Sequence, residues 1–87
     1  MKYLSKMITI EVNEQDAPAI ERILKELEFA RTKWPTKWIK IYEREKKALI
    51  LEESIELIQA INDCDKEHAK LEAAQYAVTA IRYLTGN

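Results

Sequence analysis

The amino-acid sequence predicts an all-α fold, a helical bundle built around an antiparallel helix hairpin. Three observations lead there. Breakers are scarce, with one glycine (Gly86) and two prolines (Pro18, Pro35) in 87 residues, so little interrupts a helix. Apolar residues recur at i, i+3, i+4, i+7 over three long segments. A short turn-like run, Asn62 to Asp65, separates the last two of them. The chain is expected to be a single domain over 1–87, because so few residues cannot build two separate cores.

Residues 1–15 are expected as an extended N-terminal arm. Ile8, Ile10 and Val12 alternate as in a strand, yet one short strand has no visible partner within the chain. Ser5, Lys6, Thr9 and Glu11 break the apolar run, which argues against a signal peptide or a spanning helix. The first helix is expected over 16–33. Asp16 can cap it, Pro18 fits its first turn, and Ile20, Ile23, Leu24, Leu27 and Ala30 give it one buried face. Pro35 ends it by disfavouring a helical Trp34. A basic, tryptophan-bearing segment (Arg31 to Lys40) then leads into a second helix, expected over 36–61. Ile50, Leu51, Ile55, Leu57, Ile58 and Ile61 cover its broad apolar face. The third helix, expected over 66–84, is capped by Asp65 and stops before Gly86. Its apolar line is Leu71, Ala74, Val78 and Ile81, with Ala77 and Leu84 beside it.

Hydrophobic residues at 47% and charged residues at 33% describe a soluble globular protein. The net charge of −1 offers no basic excess for a nucleic-acid polymer, and nothing directs the chain to a membrane. One cysteine, Cys64, excludes an intramolecular disulfide and a multi-cysteine zinc site. That usage fits a reducing, cytoplasmic setting. The core of so short a chain is thin, which points to a homo-oligomer.

The chemistry lies on two facing stripes. On the second helix Leu49, Glu53, Glu56 and Ala60 share one line, with Glu52 farther round toward solvent. His68, Glu72, Gln75 and Thr79 share a line on the third. Packed antiparallel, the helices bring Glu53 and Glu56 opposite Glu72 and Gln75. Three gathered carboxylates repel one another, and burial worsens the repulsion. A cation removes that cost, and oxygen ligands without cysteine favour a hard ion, Mg²⁺ or Mn²⁺, over zinc. Such an ion binds phosphates jointly with the protein, so phosphoanhydride hydrolysis is the implied chemistry. The bland alternative is a solvated glutamate face paired with Lys46, Lys47 or Lys70.

The run Leu51-Glu52-Glu53-Ser54-Ile55-Glu56-Leu57-Ile58-Gln59-Ala60-Ile61, followed by Glu72-Ala73-Ala74-Gln75, resembles the EExxE…ExxD pattern of the MazG-type all-α nucleoside triphosphate pyrophosphatases. The resemblance extends over roughly 32–84 and includes the Lys-Trp-Pro segment ahead of the acidic helix. It implies Mg²⁺-dependent hydrolysis of a (d)NTP to a (d)NMP and pyrophosphate, in nucleotide-pool housekeeping. It also implies a dimer or tetramer with sites near subunit interfaces. Carried over by position, Glu53, Glu56 and Glu72 are metal ligands, and Glu52 is an auxiliary or water-activating carboxylate. The pattern's final Asp falls on Gln75 here. An amide oxygen can join a hard cation's shell but brings no charge, so affinity should drop. A nucleotide-binding relative without turnover therefore stands as an alternative. A helical dimerisation module with no nucleotide activity is a third.

Trp34 and Trp38 can stack on a nucleobase, with Lys33, Lys37 and Lys40 attracting phosphates. Packing in the core or an interface is the competing role for both tryptophans. Thr79 and Arg82 lie a turn or two beyond Gln75 and within reach of a triphosphate, although Arg82 equally suits a helix C-terminus. His68 is expected exposed and not a ligand. Tyr76 and Tyr83 suit interface packing. Acidic neighbours make Cys64 a poor nucleophile.

Overall fold

The structure, a computed structural model, describes residues 5–87; Met1 to Leu4 of the expected arm lie outside the described residues. The described part of the arm, 5–15, is neither helix nor strand, ends in a turn from residue 14, and has exposed side chains. Three helices follow, α1 (Ala17–Lys33), α2 (Glu43–Asn62) and α3 (Lys66–Thr85). No strand occurs among the described residues.

Helix α1 starts from a turn at Asn13, whose carbonyl accepts from Asp16 N–H at 2.9 Å and whose side chain accepts from Gln15 N–H at 3.0 Å. Asp16 stands at the N-cap position but makes no side-chain cap bond, contrary to the expectation. At α3 the expected cap forms: Asp65 accepts from His68 N–H at 3.1 Å. Gly86, at φ 82°, takes the left-handed turn that closes the other end.

The start of α2 corrects the sequence reading, which placed it at 36. Residues 35–41 are turns and a bend, and Tyr42 is the extended cap residue before Glu43. Charge gives the reason. A start at 36 would set Lys37 and Lys40 against the positive end of the helix dipole, whereas the observed start puts Glu43 and Glu45 there. The irregular segment also lets Trp38 turn inward, where it is buried.

Helix α3 packs between α1 and α2, and these two do not pack on each other. Arg22 and Ile23 lie by Lys70 and Ala74, while Ala30 and Trp34 lie by Arg82, so α1 runs parallel to α3. The turn at 63–65 reverses α2 against α3, and Tyr83 donates to Glu43 at 3.0 Å across the far end. The buried apolar residues are Trp38, Ala60, Ala74 and Val78. Much of the apolar surface expected inside is open. Of α1's face, Ile23, Leu27 and Ala30 are half-buried but Ile20 and Leu24 are exposed; on α2, Leu51, Ile55, Ile58 and Ile61 are exposed. The molecule measures 42 × 36 × 18 Å, a flat three-helix arrangement. Its surface of 7441 Å² compares with roughly 5,300 Å² for a compact monomer of this mass.

Candidate metal centre and adjoining cleft

The antiparallel pairing of α2 and α3 sets Glu53 and Glu56, one turn apart, across from Glu72. One carboxylate oxygen from each of the three lies within 4.8 Å of the others. Glu72 is buried at 8% exposure, and Glu53 and Glu56 are half-buried. Burial pushes the Glu53 carboxyl above its ordinary range, helped by the charges of Glu56, Glu72 and Glu52 and opposed by Lys37. Glu56 is raised in the same way, first by desolvation and then by the charge and hydrogen bonding of Glu72 and the charge of Glu52; His68 opposes it. Glu53 Oε2 and Glu72 Oε2 are buried with no hydrogen-bond partner among the described residues. Buried carboxylate oxygens without a donor are costly. The three carboxylates offer an all-oxygen donor set of the kind that suits a hard cation.

Glu52 stays exposed at the rim and reaches the cluster through its charge. Gln75, half-buried, shares a cleft with Glu53. His68 is exposed, as expected, and its Nε2 sits 3.1 Å from Glu72 Oε1. The i, i+4 spacing of the two residues carried that signal in the sequence.

The cleft lies between α1 and α2 over α3, about 300 Å³ in volume. Lys33, Trp34, Lys37, Trp38, Thr79 and Arg82 all line it, with Glu53 and Gln75 at its acidic side and Glu26 and Phe29, unremarked in the sequence reading, on α1. The two tryptophans divide. Trp38 is buried at 4% exposure and forms part of the wall, while Trp34 is 42% exposed. Lys33 Nζ sits 4.6 Å from the Trp34 ring centre and Lys37 Nζ 5.3 Å. The Thr79 hydroxyl donates to the Gln75 carbonyl at 3.0 Å, within its own helix. Arg82 is buried, and its guanidinium donates to Trp34 O at 2.6 Å, to Ala30 O at 3.4 Å and to Asn87. It does serve a helix C-terminus, but that of α1 rather than its own. These bonds clamp the cleft wall from α3 to the end of α1. Cys64 sits exposed in the hairpin turn at φ 59°.

No helix among the described residues is long and apolar enough to cross a membrane. No protein-family model matches the chain, and no curated protein or solved structure matches it either.

Proposed function

We propose that this chain is a Mg²⁺-dependent nucleoside triphosphate pyrophosphohydrolase of the MazG type, converting a (d)NTP and water to a (d)NMP and pyrophosphate. The observation that carries the proposal is the cluster of Glu53, Glu56 and Glu72, with two buried oxygens lacking partners, opening beside an aromatic and lysine-lined cleft. Glu53, Glu56 and Glu72 would hold the cation, with the Gln75 amide oxygen a neutral fourth donor; Mn²⁺ suits the same set. When bound, such an ion neutralises phosphate charge and acidifies water. The chain's own residues do the remaining work. Trp34, the more exposed of the two tryptophans, is the ring that would stack on a nucleobase. Lys33 and Lys37, already over that ring, bring positive charge to phosphates at the cleft mouth. Glu52, exposed beside the cluster, is the carboxylate that would accept a proton from attacking water. Thr79 and Trp38 shape the wall, and Arg82 keeps α1 against α3.

Assembly belongs to this proposal. The surplus of roughly 2,100 Å², part of it the exposed N-terminal arm, exceeds the roughly 800 Å² that each partner of a standard interface buries. The exposed α2 stripe Leu51, Ile55 and Ile58, and separately the apolar face where Ile50 meets Ala73, Ala77 and Ala80 of α3, suit a second copy as homodimer or homotetramer. The setting proposed is cytoplasmic nucleotide-pool housekeeping, with no nucleic-acid polymer as partner.

Gln75 favours a second reading, a nucleotide-binding protein without turnover. Pyrophosphate release from a panel of canonical and modified (d)NTPs with Mg²⁺ separates the two. Turnover by the native chain, abolished in Glu53→Ala, supports the enzyme. Silence in the native chain with activity gained in Gln75→Asp supports the binding protein. Neither turnover nor nucleotide binding in any variant would leave a helical dimerisation module.

A further inference from the structure

The two oxygens of Glu72 have different fates. Oε1 lies 3.1 Å from His68 Nε2, while Oε2 is buried and without a partner among the described residues. A carboxylate only accepts, so the imidazole Nε2–H donates. His68 is itself held in the first turn of α3, where its backbone N–H donates to the Asp65 side chain. The last torsion of a glutamate is soft and broadly populated. A directional bond on one oxygen restricts it, and the ring that makes this bond stands on the solvent side of a buried carboxylate. We propose that His68 is a positioning residue: its bond to Oε1 fixes the Glu72 carboxylate so that Oε2 serves as a single-oxygen ligand to a divalent cation shared with Glu53 and Glu56. The inference rests on the metal site proposed above, and it assigns the site's outer support to a residue that the acidic pattern does not contain.

Mn²⁺ alone is the probe, titrated into the full chain at pH 8 and followed by calorimetry and by the electron paramagnetic resonance of the bound ion. His68→Ala should weaken Mn²⁺ binding roughly 10- to 100-fold, the usual effect of removing an outer-shell hydrogen bond, with unchanged helix content by circular dichroism. His68→Gln, which restores an N–H donor, should recover most of the affinity. Lys70→Ala, which breaks an exposed pair with Glu67 on the same helix, should bind as the native chain does. Equal affinity in native and His68→Ala would overturn the assignment, as would a loss that His68→Gln does not rescue. A native chain that binds no Mn²⁺ would instead remove the metal site itself, so the two failures are told apart by the native titration.

Discussion

Glu53 and Glu56 show how a gathered set of carboxylates works against the fold that carries it. Their folded-state carboxyls titrate above the ordinary value of 4.5. A raised folded value means that the native state binds protons more readily than the unfolded chain. Stability is then fully present below about pH 4.5 and is lost as pH rises through the folded values. The metal-free protein should accordingly melt at lower temperature at pH 7.5 than at pH 5 in EDTA, and Mg²⁺ should close most of that gap. A melting temperature that rises with pH in EDTA would contradict this. Glu53→Gln should raise the metal-free melting temperature at pH 7.5 and abolish the Mg²⁺ response. For activity, Glu53→Ala should lower pyrophosphate release by roughly 100-fold or more, since a metal's charge stabilisation is worth several kcal/mol. The carboxylates were legible in the sequence because helical spacing alone puts Glu53 and Glu56 on one line facing Glu72. The bond from His68 was equally available in the i, i+4 spacing, but an expected exposed ring gave no reason to look for it. The commitment of Arg82 to α1 was beyond reach, since it depends on α1 running parallel to α3.

The helices themselves were readable from periodicity and from the shortage of breakers, and their ends were readable where a cap has a chemical signature. Asp65 and Gly86 are such signatures. Asp65→Ala should cost about 1 kcal/mol, measured by urea unfolding. Where the end is decided by electrostatics, as between Pro35 and Glu43, apolar spacing is silent and the lysines decide. The hairpin turn carries an unfavourable choice at Cys64, which takes a left-handed conformation that side chains resist. Cys64→Gly relieves strain of about 1 kcal/mol, and in a domain of this size that raises the melting temperature by roughly 4–8 °C. An unchanged or lower value would mean that the turn carries no strain.

For the whole molecule, the sequence marks which residues are apolar but not which stay uncovered. Leu51, Ile55 and Ile58 satisfy the same spacing rule as a core stripe, yet α3 reaches only the other side of α2. That difference is a matter of how many helices the chain has to cover one another, and it has three. If a second copy supplies the missing cover, Ile55→Glu should shift sedimentation from dimer or tetramer to monomer and lower the melting temperature. The native melting temperature should also rise with protein concentration. A native chain that sediments as a monomer at all concentrations would refute the assembly. The same flat arrangement leaves the cleft with walls from α1, α2 and α3 of a single chain.

The unlike surroundings of the two tryptophans give the protein an optical signal of its own. Trp38, enclosed, should emit toward the blue and resist acrylamide, whereas Trp34, open and flanked by Lys33 and Lys37, should emit toward the red and be quenched readily. A nucleotide seated against Trp34 would silence or shield only the red component, and Trp34→Phe would leave the blue one as an internal standard. Occupancy of the cleft is thus readable from intrinsic fluorescence without a label, separately from any turnover.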